Sequence, residues 1–121
     1  MGEVYIELPT AFTTADTVGP ILMSFSGDKL TVTFANFRTP LHTVIFRNVR
    51  AFYWYGWEST SPEARPDRVY EVRDSEFLAP WTRFCVERTP FRHFKLGFNA
   101  EGKFLDVVAT HLDHVPPAPQ A

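Results

Sequence analysis

Two imidazoles and a carboxylate stand within four positions at His111-Leu112-Asp113-His114, residue types that bind transition metals. A metal site needs three or four convergent ligands, and no second pair at ligand spacing stands elsewhere; His42 and His93 are single residues on separate apolar segments. The reading is surface polar residues at the end of the last strand, with no metal. The single cysteine, Cys85, would be a nucleophile if His93 or His42 served as its base. A reactive thiol needs an electropositive, partly open setting. Arg83 and Arg88 are near in sequence, but Cys85 lies between Phe84 and Val86, as a small core filler would. Glu58 opens a polar segment, and Asp106 interrupts an apolar one. A carboxylate at Asp106 is costly unless paired, so it reads as a solvent-facing or Arg-paired structural residue, with recognition as the sharper alternative. There is no G-x-x-x-x-G-K, G-x-S-x-G or H-E-x-x-H and no cysteine pair for zinc. No catalytic residue, metal or cofactor is assigned.

The segment Phe52-Tyr53-Trp54-Tyr55-Gly56-Trp57 places aromatic residues on both faces of one strand. One face fills the core; the other meets solvent, a second layer or a partner. Arg50 shares a face with Phe52 and Trp54, and Arg and Trp are the types richest in binding hot spots. Arg50, Phe52, Trp54, Trp57 and Glu58 are the candidate binding residues. The competing reading is a strand buried on both faces, with a helix over the second.

Positioning these residues is the task of a chain of 121 residues, a single-domain length. Its hydrophobic fraction of 45% suffices for one core without disulfide staples. Lys and Arg number 12 against 14 Asp and Glu, a balance that argues against a nucleic-acid partner. One cysteine forms no internal disulfide, and MGEVYIELPT carries neither the basic nor the apolar region of a signal peptide. The expectation is a cytoplasmic protein with no membrane association.

Alternation of period two dominates. Val4, Ile6 and Leu8, then Ile21, Met23 and Phe25, then Leu30, Val32 and Phe34 each define one apolar face. Gly27-Asp28 predicts a hairpin between the second and third of these strands. Residues 41–57 are too long for one strand, so a bulge or bend near Asn48 is expected to carry the chain from one sheet or barrel wall to another. Residues 58–66 read as an exposed loop. A short helix is expected at about 75–86, capped by Asp74 or Ser75, with a turn before Pro80 and a restart at it. Phe94, Leu96 and Phe98 pair in a second hairpin with 104–108, and residues 116–121 form a Pro-rich disordered tail after a domain of 1–115. The fold class is mainly β: an antiparallel sandwich or partly open barrel of about seven strands with one short helix.

FRNVRAFYWYGWE at 46–58, DRVYEVRDSEFLAP at 67–80 and HFKLGFNAEGKFLDVVA at 93–109 together define a pattern of aromatic strand, turn and D-V-V-A strand. This pattern resembles small uncharacterised bacterial β proteins, similar in layout to some immunity proteins of toxin systems and to accessory interaction domains. The resemblance implies a fold class and transfers no functional residue. The leading expectation is a non-catalytic protein-interaction module, with a protein partner or a homodimer. A β domain enclosing a small apolar ligand is the alternative. An enzyme built on His42, His93, Glu58 and Asp74 is the third, and requires three of these groups in one cleft.

Overall fold

The computed structural model describes residues 3–10, 12–36, 41–56, 64–65 and 67–115. The strands are β1 (Val4–Glu7), β2 (Thr17–Ser26), β3 (Lys29–Asn36), β4 (His42–Arg47), β5 (Ala51–Gly56), β6 (Val69–Arg73), β7 (Cys85–Val86), β8 (Thr89–Pro90), β9 (Arg92–Phe98), β10 (Lys103–Ala109) and β11 (His111–Val115). A five-stranded sheet has the order β1-β6-β9-β10-β5, a four-stranded sheet β11-β4-β3-β2, and β7-β8 form a small ribbon. Every pairing is antiparallel. The arrangement is sandwich-like and not a closed barrel. No helix among the described residues is long and apolar enough to cross a membrane.

The Gly27-Asp28 hairpin forms as expected, with Ser26 opposite Lys29. Gly27 takes φ +66°, which a residue without a Cβ adopts freely. On β3, Leu30, Val32 and Phe34 are fully buried while the residues between them are half-buried. Pro20 is accommodated because β2 is a sheet edge and its register slips between Val18 and Leu22.

The expected bend at Asn48 is the hinge of the sandwich. β4 lies in one sheet and β5 in the other, and Asn48 between them adopts φ 57°, a conformation asparagine tolerates better than most residues. A second bend at Thr110 takes the chain from β10 to β11 at the same level. The Asn48 side chain donates to Thr110 Oγ1 at 2.7 Å. Thr110 N–H donates to the Arg47 carbonyl at 3.0 Å, and Arg50 N–H to the Val108 carbonyl at 2.9 Å. Backbone groups freed by both bends therefore satisfy one another.

Between the sheets, Leu30, Val32, Phe34, Val44 and Phe46 meet Phe94, Leu96, Phe98, Leu105 and Val107. The Phe34 and Phe98 rings pack edge-on at 5.4 Å. The five-stranded sheet is buried on its other face too, which is why β9 and β10 read as almost continuously buried. There Tyr70, Phe104 and Ala64 form a second cluster with Tyr5 and Tyr55.

Three local expectations are corrected. Residues 75–86 hold no α-helix: only Ala79–Trp81 forms a 3-10 turn, with Pro80 in its first positions. Proline lacks the N–H an α-helix needs and restricts Ala79 before it. Cys85 is not a core filler but exposed, at the start of a hairpin whose turn residues Glu87 and Arg88 both have positive φ. On β1 the expected apolar face is covered only at its end: Leu8 packs on the core, while Val4 and Ile6 are exposed and Tyr5 between them packs on Tyr70 at 5.8 Å. Phe25 likewise stands exposed near the end of its edge strand. Residues 116–121 and most of the 58–66 loop lie outside the described residues.

Candidate functional site

Two regions carry the features that could serve function: an aromatic seam along the sheet edges β5 and β2, and a polar chain on the outer face of the five-stranded sheet.

At the seam, alternation along β5 sends Phe52 and Trp54 toward the space between the sheets and Tyr53 and Tyr55 to the outer face. Trp54 is half-buried against the core, its ring 5.7 Å from Phe98. Phe52 keeps 41% of its surface exposed and Tyr53 60%. The Phe52 ring meets Phe25 from β2 at 5.3 Å. Leu22 on β2 is 59% exposed but lies on the opposite face of that strand from Phe25, outside the seam. Arg50 is exposed at the start of β5, with its guanidinium 5.4 Å from the Phe91 ring centre. Trp57 and Glu58 lie outside the described residues. Tyr53 and Phe25 were not among the candidate binding residues. Alternation assigns each to a face, but their exposure follows from β5 and β2 being edges, which only the strand order reveals.

The polar chain is assembled by register. Asp106 on β10 stands opposite Lys95 on β9 and Tyr53 on β5, and Lys95 stands opposite Tyr70 on β6. His93 lies two residues before Lys95, on the same face. Ser75 reaches the chain from the turn after β6, following Asp74 at φ 55°. The His93 ring spans the gap: Ser75 Oγ is 2.6 Å from Nδ1, and Asp106 Oδ1 is 2.7 Å from Nε2. Phe77 packs on the same ring at 5.2 Å. Lys95 Nζ donates to both Asp106 oxygens at 3.3 and 3.4 Å and to the Tyr55 hydroxyl. It also sits within about 5 Å of the Tyr55 and Phe104 ring centres. Ser75 and His93 are buried, Lys95 is 4% exposed and Asp106 8%.

Burial of Asp106 disfavours its charged form. The His93 hydrogen bond, the Lys95 ammonium and the Tyr55 hydroxyl together outweigh that cost and hold the carboxyl below its usual range. An ionised carboxylate only accepts, so in neutral His93 the proton sits on Nε2 and the Nδ1 lone pair faces Ser75. The Ser75 hydroxyl then donates to His93 while its oxygen accepts the Leu78 N–H at 3.1 Å. With no α-helix to cap, Ser75 does not serve as the expected helix cap; it holds the turn through Leu78 N–H and joins the chain. Asp106, read as solvent-facing or Arg-paired, is instead buried and paired with His93 and Lys95.

His42 and His114 form a separate pair, Nδ1 to Nε2 at 3.0 Å, on the four-stranded sheet. Burial lowers the pKa of both, and His114 lowers that of His42 further. No group of three or more metal-ligating side chains occurs among the described residues. Of the four groups proposed for an enzyme, His93 and Asp74 approach the same place. His42 lies in the other sheet, and Glu58 is outside the described residues. Both imidazoles proposed as a base for Cys85 are engaged elsewhere.

One surface cavity of about 200 Å³ is lined by residues including Glu7, Leu8, Thr10, Thr14 and Arg68. Another, of about 390 Å³, is formed by Asp74, Ser75, Glu76, Leu78, Ala79 and Thr82. Among the described residues, Phe12 is the one aromatic residue lining the first, and the second has none, where an apolar-ligand site is expected to be lined by several Phe and Trp residues. Comparisons with family models, curated proteins and solved structures find no match for this chain.

Proposed function

We propose that this protein is an interaction module that receives a partner protein at the β5 edge. The observation that carries the reading is the seam: a sheet edge with no strand beside it among the described residues, bearing exposed Phe52 and Tyr53, with Phe25 of β2 against Phe52. An unpaired edge offers a row of backbone donors and acceptors, and an extended segment that adds a strand there satisfies them. The exposed rings on either side supply apolar area that specific interfaces concentrate at their centre. We read this surface as non-catalytic, since its described residues present aromatic and aliphatic side chains. Arg50 at the start of the strand is placed to pair with a carboxylate at the rim of the partner. We place the module in the cytoplasm, on the strength of its single cysteine.

The partner is an apolar extended segment of another protein; a second copy of this chain is the competing occupant. The protein is isolated from its own host and its mass measured by native mass spectrometry, alongside a Phe52→Glu/Tyr53→Ser variant that retains its circular dichroism. A second protein bound to the wild type and lost from the variant supports the reading. A homodimer lost from the variant assigns the seam to self-association. A monomer without a companion, or a complex that survives both substitutions, overturns the assignment.

A further inference from the structure

The chain of Ser75, His93, Asp106 and Lys95 adjoins the seam, with Asp106 opposite Tyr53, but it is buried and presents none of the exposed rings proposed for binding. It is also an expensive way to hold a loop, because four polar side chains are buried where apolar ones would pack at less cost. Three features set Ser75 apart from a serine that only caps a turn. Its hydroxyl is 2.6 Å from an imidazole nitrogen, and the opposite nitrogen of that ring is held by a buried carboxylate. It follows a residue at φ 55° directly after a strand, and such strained turns concentrate at working sites. It also lines the cavity of about 390 Å³ with Asp74, Glu76, Leu78, Ala79 and Thr82. The base is thus bonded to the hydroxyl of a residue that borders the cavity.

We propose that Ser75 is a nucleophile for acyl transfer, with His93 as its base and Asp106 as the residue that fixes the tautomer of the ring. Ser75 Oγ bonds to the carbonyl carbon of an ester as its proton passes to His93 Nδ1. The bond to the alkoxide then breaks, and the same proton leaves with the alcohol. Water, giving a proton to Nδ1, attacks the acyl-serine, and a carboxylic acid departs as the proton returns to Oγ. The cavity volume suits a short acyl chain, and Asp74 and Glu76 in its wall favour neutral or cationic esters over anionic ones.

The test is labelling of the full-length protein with a short-chain alkyl fluorophosphonate, followed by intact mass spectrometry and peptide mapping. One adduct per chain on Ser75 is expected, with a labelling rate at least about 100-fold lower in His93→Gln. A folded wild type that takes up no probe at Ser75 overturns the proposal, as does labelling equally fast without His93. Glu76→Ala, on the exposed cavity wall and outside the hydrogen-bonded chain, covers the case in which His93→Gln fails to fold. It is expected to speed turnover of an anionic p-nitrophenyl ester several-fold relative to p-nitrophenyl acetate. An unchanged ratio overturns the assignment of this cavity as the substrate site.

Discussion

Replacing Lys95 by Met and Asp106 by Leu, singly and together, isolates the pair at the centre of the polar chain. Each residue is at least nine-tenths buried, so removing one leaves an uncompensated charge in the interior, at a cost of about 3–5 kcal/mol. Independent effects would sum to about 6–10 kcal/mol, the range in which a domain of this size loses its fold. Independence is not expected. Lys95 Nζ lies about 5 Å from the Tyr55 and Phe104 ring centres, an environment suited to a thioether. With the carboxylate also gone, no net charge remains buried. What the double variant still loses is the Lys95 bond to the Tyr55 hydroxyl and the Asp106 bond to His93, the latter at about 1–3 kcal/mol for the orphaned N–H. It is therefore expected to be more stable than either single variant. Urea unfolding with linear extrapolation reads the three values. Single-variant losses that add to within about 0.5 kcal/mol in the double variant would refute the claim that Lys95 and Asp106 act as one buried unit.

Stability is expected to fall with acid in two stages. His42 and His114 have folded pKa values below the ordinary 6.5, so below that pH the unfolded chain binds more protons and stability declines. A His114→Gln variant, followed by thermal melts between pH 8 and pH 5, flattens this stage. Asp106 is also lowered, from 3.8; its contribution is full above that value and is lost as pH falls through the folded value, a stage absent in Asp106→Asn. Asn48→Ala is expected to cost about 1–2 kcal/mol, through positive φ and the lost bond to Thr110. Asn48→Gly should cost less, because glycine accepts that backbone; the reverse order in urea melts would contradict the account of the bend. Gly27→Ala meets no atom within 4 Å, so only its φ opposes it. A loss of about 1 kcal/mol is expected from the same melts, and a loss above about 3 kcal/mol would show that contacts matter there.

Local chemistry in the sequence determined the strands, the turns between neighbouring strands and the place where the chain leaves one sheet for the other. Leu30, Val32 and Phe34 alternate because half of β3 faces a core, and Gly27-Asp28 marks its hairpin because only certain residues take the required φ. Asn48 breaks the alternation where φ turns positive. These signals act over a few residues and need no knowledge of the rest of the molecule. Tertiary structure alone decided which faces are covered. Val4 and Ile6 alternate as cleanly as Val32 and Phe34, yet they are exposed, because their strand is an edge and Tyr5 between them packs on Tyr70. Proline at position 80 was visible, but its cost outweighed the helical spacing of Phe77, Trp81 and Phe84 only in the folded competition between turn and helix. The Ser75, His93, Asp106 and Lys95 chain was not legible as a unit. Ser75 looked like a cap and Asp106 like an isolated carboxylate, and 30 positions of sequence separate them. Antiparallel register of β9 and β10 sets Lys95 opposite Asp106, and the turn after β6 then brings Ser75 over His93. Hydrogen bonds at 2.6 and 2.7 Å depend on that register to within one residue, since a slip by one would send His93 and Asp106 to the opposite face.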